Sequence, residues 1–281
     1  MKTHLKPNPS SLTWHHGPDK TAPGVARVLI VAGSDPVAGA GLQADLKVVT
    51  ALGGYAMTVV TAITVQDTRA VARVLPLEPE LVAEQMRACL ADIGADCVKL
   101  GMLANRAIVR AVVEVLADHP GLPLVADPVL AGTGGGILLE AGGLESYRTD
   151  LLPRVTLLTP NLPEAAALTG LTVASPEQMQ RAAQALRELG AGAVLLKGGH
   201  LAGDMARDWL ESDTACRWFE DPRLPGPGFH GTGCTLASAI ATGLAQGLGL
   251  EAAVLRGRAW LREAMIGSLA LGGGQHLLWH G

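Results

Sequence analysis

Arg27-Val28-Leu29-Ile30-Val31-Ala32-Gly33-Ser34-Asp35-Pro36 is the stretch on which the fold class turns. Its apolar residues run on without polar alternation. That is the pattern of a strand covered on both faces, as in a parallel sheet held between helices. The run stops at Gly33, and Asp35-Pro36 marks a turn, so the polar residues that follow stand at the carboxyl end of the strand.

Working outward, apolar runs and helical stretches alternate to the end of the chain. A helix is predicted over 42–52, a strand over 55–65, a helix over 79–93 and a short strand over 97–100. Asn105 suits the N-cap of a helix ending at Ala117, and a strand over 123–126 then delivers Asp127-Pro128. Four glycines within 131–136 predict a mobile loop. A helix over 140–147 and a strand over 155–158 follow, with a short helix behind Thr159-Pro160-Asn161-Leu162-Pro163-Glu164. Ser175-Pro176-Glu177 opens an amphipathic helix to Leu189, because serine favours the N-cap and proline the first helical position. A strand over 193–196 ends on Lys197, residues 208–219 read as a hairpin-like pair, and the last helices start at Gly233 and near Glu251. There is no fixed-period repeat and no Ser- or Gly-rich linker. The expectation is a single α/β domain over 25–281, a central, mostly parallel sheet with helices on both faces, behind a flexible, proline-containing leader at 1–24.

Composition narrows the function. With 281 residues, 48% hydrophobic and 3% aromatic, the chain can bury a large core built from Ala, Val and Leu. A net charge of -4 argues against a nucleic-acid partner held by phosphate neutralisation. Arg256, Arg258 and Arg262 cluster around a single aromatic, Trp260, and read as a solvated helix face. Cys89, Cys97, Cys216 and Cys234 form no CxxC pair, and the leader has no secretory core, so free thiols in a reducing cytoplasm are expected. The uncharged run 231–250 has the length of a membrane span, but its five glycines and three threonines fit a buried helix better, and no membrane partner is expected.

That run opens with Gly231-Thr232-Gly233-Cys234. Glycines free of side chains let backbone N–H groups converge at a helix start, where the dipole favours an anion, and Thr232 can add a hydroxyl. At such a position a thiol is expected to titrate below its free value of about 8.5. The plainer alternative is a glycine turn entering a buried helix that contains a core cysteine. Asp35, Gln66, Met102, Asp127, Asn161, Glu164 and Lys197 all follow predicted strands, at the sheet edge where α/β proteins gather ligands. Gly39-Ala40-Gly41-Leu42-Gln43-Ala44 matches the dinucleotide fingerprint only formally. It lies six positions beyond Gly33, and no acidic residue occurs between Asp45 and Asp67 to hold a ribose. Walker, His-Glu-x-x-His and Gly-x-Ser-x-Gly motifs are absent. An anion-binding helix start, a lysine and two separated acids are the parts that phosphoryl transfer requires.

From Arg27 to Trp279 the chain resembles the hydroxymethylpyrimidine/phosphomethylpyrimidine kinases of thiamine biosynthesis, members of the ribokinase-like superfamily. The resemblance rests on Ala32-Gly33-Ser34-Asp35-Pro36, Gly39 to Lys47, Thr61-Ala62 with Gln66, Lys99-Leu100-Gly101-Met102-Leu103, Asp127-Pro128-Val129, Thr159 to Ala165, Lys197-Gly198-Gly199-His200 and His230 to Thr235. It implies a ribokinase-like fold and ATP- and Mg2+-dependent phosphorylation of 4-amino-5-hydroxymethyl-2-methylpyrimidine and then of its monophosphate. By the same resemblance Gln66 reads the pyrimidine edge, with Gly33, Asp45 and Met102 lining the pocket. Asp127 and Glu164 organise Mg2+, Lys197 and Asn161 serve ATP, Gly231, Thr232 and Gly233 form the anion hole, and Cys234 accepts the hydroxyl proton. The partners implied are the aminopyrimidine alcohol, ATP and a second copy in a homodimer. Thr133 and Gly134 depart from the lysine and serine common in the family's loop, and Asp67 stands where many relatives have asparagine. The second phosphorylation is therefore expected to be the weaker. A pyridoxal or pyridoxine kinase, and a pyrimidine-binding sensor without catalysis, are the alternatives.

Overall fold

The computed structural model describes residues 24–132, 136, 138–199, 201–226 and 228–281. The expected leader, apart from Gly24, lies outside these residues, as do Thr133, Gly134 and His200. Nine strands form one sheet: β1 (Arg27–Ser34), β2 (Tyr55–Gln66), β3 (Val71–Pro76), β4 (Cys97–Leu100), β5 (Leu124–Ala126), β6 (Leu157–Leu158), β7 (Val194–Lys197), β8 (Met205–Glu211) and β9 (Cys216–Pro222). Their spatial order is β3-β2-β1-β4-β5-β6-β7-β8-β9. The six strands from β2 to β7 pair in parallel, while β3, β8 and β9 close the two edges antiparallel.

β1 shows why its apolar run lacks alternation. Leu29 and Val31 pack with residues of α2 (Pro79–Asp92), α3 (Arg106–Ala117), α5 (Leu162–Thr169) and α6 (Pro176–Glu188), which follow α1 (Gly41–Ala51) and are interspersed with a short α4 (Ala141–Ser146). Val28, Ile30 and Ala32 pack on the other face with residues of α1, and of two helices near the end of the chain, α7 (Thr232–Ala245) and α8 (Leu250–Ile266). Both faces are thus covered, and each burial favours the parallel sheet by removing apolar area from water. No helix among the described residues is long and apolar enough to cross a membrane.

Local chemistry accounts for the boundaries. Asn105 caps α3 by accepting the Ile108 N–H at 3.0 Å, and Ser175 caps α6 by accepting that of Gln178 at 3.3 Å. β6 is shorter than the predicted 155–158, because a 3-10 turn over Leu152–Arg154 draws the Val155 N–H onto the Leu152 carbonyl. Beyond α4 the chain continues as a π turn, Tyr147–Leu151. Two features were not predicted. β3 is an edge strand ending at a proline, and a two-stranded parallel ribbon pairs β10 (Phe229–His230) with β11 (His276–Leu277) just ahead of α7.

Candidate active site

The parallel strands end together, and their following residues line a cavity of about 480 Å³. Asp35 comes from the turn after β1, Gln66 from the end of β2, Met102 from the loop after β4, Asp127 from directly after β5, Asn161 and Glu164 from the start of α5, and Lys197 from the end of β7. Residues Gly231 to Cys234 close the wall where α7 begins. Gly231 has φ 85°, and a Cβ there would collide with the Gly39 carbonyl, so glycine alone allows this close approach. A Cβ on Gly233 would lie 2.8 Å from Asp127 Oδ2 and 3.1 Å from Lys197 Nζ, so the helix start touches the ion pair.

Asp127 Oδ1 accepts from Lys197 Nζ at 2.7 Å and from the Thr159 hydroxyl at 3.1 Å. Burial works against the Lys197 charge, but Asp127 and Glu164 outweigh it and its pKa rises. Glu164 belongs to a capping box with Asn161: its carboxylate accepts the Asn161 N–H at 2.8 Å, and Asn161 Oδ1 accepts the Glu164 N–H at 2.9 Å. Burial pushes Glu164 up to about 7, Lys197 pulls against it, and Asp127 adds to the rise. A cation beside Asp127 and Glu164 would relieve that repulsion. Among the described residues no three His, Cys, Asp or Glu side chains gather as a metal cage. A pair of carboxylates instead fits a hard ion that keeps waters and phosphate oxygens as its other ligands.

A second cavity, of about 410 Å³, adjoins the first and shares Lys197, Gly199, Phe229, Thr232 and Gln275 with it. Leu224, Leu236, Leu261 and Met265 supply its apolar wall, and Arg262 stands beside Arg258, whose guanidinium is already paired with Asp208 and Asp221. Among the described residues no side chain caps α7, so the uncapped helix start lies on the wall between the two cavities. Apolar side chains for a base, with Lys197 and the uncapped N–H groups of α7 for phosphates, suit a nucleotide.

Three expectations need correction. Asp45 does not line the cavity: it is sealed at 0% exposure, with Oδ2 at 2.6 Å from Lys99 Nζ and Oδ1 accepting from the Ser238 hydroxyl at 2.7 Å. Cys234 does not have a lowered pKa. Burial pushes the thiol up to about 12, with Lys99 pulling it down and Asp45 and Asp127 pushing it further, so desolvation outweighs the helix start. Asp67 stays outside the cavity, where its Oδ1 accepts the N–H groups of Arg69 at 2.8 Å and Ala70 at 3.0 Å and turns β2 into β3.

Residues 35–279 match the phosphomethylpyrimidine kinase family. A hydroxymethylpyrimidine/phosphomethylpyrimidine kinase from Streptomyces coelicolor is 46% identical, over 90% of this chain and 94% of its own. The chain belongs to the phosphomethylpyrimidine kinase family. The phosphomethylpyrimidine kinase of Clostridium difficile superposes with a TM-score of 0.76 at 36% identity, covering 85% of this chain and 99% of that one. The Staphylococcus aureus pyridoxal kinase, solved with AMP-PCP and pyridoxal, superposes with a TM-score of 0.84 at 33% identity, covering 92% and 94%. The fold is ribokinase-like. Two further residues line the first cavity, Asp35 and His230. His230 Nε2 lies 3.0 Å from Asp35 Oδ2 on the cavity wall. Asp35 and His230 are 195 positions apart, and nothing in the local pattern of either signals the other.

Proposed function

We propose that the protein phosphorylates 4-amino-5-hydroxymethyl-2-methylpyrimidine, and then its monophosphate, with ATP as donor, in thiamine biosynthesis. One observation carries this reading: Lys197 and Thr232 line both cavities, and Cys234 lines the first at the same helix turn. The alcohol belongs in the cavity with Gln66, Gly33 and Met102, and the nucleotide in its neighbour. The amide of Gln66 both donates and accepts, as an aminopyrimidine edge requires. Lys197 and the N–H groups at Thr232 and Gly233 meet the negative charge of the transferred phosphoryl group. Asp127 and Glu164 would hold Mg2+, partly through water, and the ion would neutralise charge on the phosphates.

In the reaction the substrate's hydroxymethyl oxygen bonds to the γ-phosphorus, the bond to the β,γ-bridging oxygen breaks, and its electron pair leaves on ADP. The hydroxyl proton goes to the Cys234 sulfur, which must first be a thiolate. The reading extends to a cytoplasmic homodimer, which light scattering on the purified full chain tests.

Pyridoxal is the second candidate, favoured by the superposition on a pyridoxal kinase with a TM-score of 0.84. Initial rates with the pyrimidine alcohol, its monophosphate and pyridoxal, each at saturating Mg-ATP, separate the readings. The expected order is alcohol, monophosphate, pyridoxal. A preference for pyridoxal overturns it, and binding of the pyrimidine without ADP release makes the protein a sensor.

A further inference from the structure

Among the described residues common to both cavities, Lys197 at the end of β7, Thr232 in the first turn of α7 and Gln275 just ahead of β11 bring polar side chains. Gln275 arrives on a loop whose ends are tied together: Leu269 and Leu277 each donate an N–H to the other's carbonyl, at 2.8 and 3.0 Å. The loop lies on the turn after β2. Thr68 is buried there, its Oγ1 accepts the Gly274 N–H at 3.0 Å, and its carbonyl accepts the Gln275 N–H at 3.0 Å. A Cβ on Gly274 would collide with that carbonyl, so glycine is what lets the loop come this close. On the other side the His276 N–H reaches the Gly228 carbonyl at 3.1 Å, and β11 pairs with β10 directly ahead of Gly231. A Cβ on Gly228 would lie 3.1 Å from Gln275 Nε2, which places the amide against this strand's approach to α7. Gln275 is thereby held between a turn two residues beyond Gln66 and the start of α7.

We propose that the Gln275 amide is a further donor to the phosphoryl group in transfer, beside Lys197 and the start of α7, and that Thr68 positions it. The inference rests on the reading that a phosphoryl group passes between the two cavities. The terminal phosphoryl of ATP must then stand where the cavities meet, whereas the β-phosphate stays on the nucleotide side. A carboxamide offers two N–H donors and no charge, and a phosphoryl oxygen is a charged acceptor, for which hydrogen bonds are the stronger ones. Lys197 already shares its charge with Asp127 at 2.7 Å, and a neutral donor adds to the phosphoryl contacts without competing for that carboxylate. The hairpin whose Gln66 faces the alcohol thus also sets a donor that faces the group it receives.

Isothermal titration calorimetry of the full chain with Mg2+ and either ADP or the non-hydrolysable AMP-PCP is the test, because it needs neither turnover nor a choice of alcohol. Gln275→Ala should weaken AMP-PCP about tenfold, as loss of a hydrogen bond to a charged group does, and leave ADP within about twofold of wild type. Gln275→Glu keeps the shape but sets a carboxylate against the phosphoryl oxygens, and should weaken AMP-PCP further than alanine does. A merely structural role would make glutamate the milder change. Thr68→Val removes the acceptor of the Gly274 N–H and should weaken AMP-PCP about threefold, again sparing ADP. Equal weakening of both nucleotides, or wild-type affinity for AMP-PCP in either Gln275 variant, overturns the proposal, and an unchanged ratio in Thr68→Val overturns its positioning half. If Gln275→Ala fails to fold, Gln275→Glu decides. A wild type that binds neither nucleotide overturns the kinase reading and the proposal with it. One that binds both and does not phosphorylate the pyrimidine overturns only the choice of alcohol.

Discussion

Two Asp–Lys pairs flank the start of α7, and they differ in one respect. Lys197 and Asp127 meet at 2.7 Å with side chains 16% and 4% exposed, on the wall of the cavity. Lys99 and Asp45 meet at 2.6 Å with both side chains at 0%. The chemistry and the spacing are the same, and access to water separates them. The open pair can exchange a partner for a phosphate oxygen or a solvent molecule at small cost. The sealed pair cannot, because any charge left unpaired there stays out of water.

The largest expected effect comes from breaking the sealed pair. Burial pushes the Asp45 carboxyl up despite Lys99, while Asp45 holds Lys99 charged, so each depends on the other. Lys99→Met should cost about 3–5 kcal/mol in urea unfolding, and joint replacement with Asp45→Leu should recover most of it, since a fully apolar filling leaves no stranded charge. Lys197→Met should cost less stability, because water in the cavity can solvate Asp127. Its loss should instead fall on turnover, by roughly 10²–10³-fold, the usual consequence of removing one donor to developing charge. A Lys197 variant that unfolds like the Lys99 variant would abolish the distinction. Cys234→Ala, between the two pairs, should lower kcat by roughly 10²-fold with KM little changed, as loss of a proton acceptor does. Turnover near wild type would remove Cys234 from the reaction.

The sequence was legible where one element speaks for itself. The unalternating run of β1, the Asn105 and Ser175 caps, and polar residues placed directly after apolar strands all follow from local chemistry, and the structure brings Gln66, Met102, Asp127, Glu164, Lys197 and Cys234 to one cavity. Asp45 misled because its position in an amphipathic helix next to a glycine loop is equally suited to a cavity or a core. What decides is Lys99, 54 residues away on a strand, and no periodicity pairs them. Cys234 misled for a related reason: the helix start was visible, but the burial that overrides it, and the Asp45 and Asp127 charges that add to it, come from elsewhere in the chain. β3 escaped notice because an edge strand ending in Pro76, with Leu75 exposed, carries neither clean alternation nor a buried run.

His280 supplies a smaller test of the rule that a sealed charge needs a partner. It is 5% exposed, its Nε2 lies 2.9 Å from the hydroxyl of Thr235 directly after Cys234, and its Nδ1 has no hydrogen-bond partner among the described residues. The charged group that acts on it is Lys47, of like sign. Burial first, and Lys47 second, lower its pKa from 6.5 to about 4, so the folded protein keeps it neutral. The unfolded chain takes up the proton near 6.5 and the folded chain only near 4, so between these values the unfolded state binds more protons. Stability present above about pH 6.5 is therefore lost as pH falls toward 4. Between pH 7 and pH 5 this histidine should cost about 2 kcal/mol. His280→Gln, which retains a polar partner for Thr235 and cannot titrate, should lose that much less in urea unfolding over the same interval. If the variant and wild type lose stability in parallel, His280 takes its proton in the folded state, and a sealed charge without a counter-charge is tolerated beneath α7.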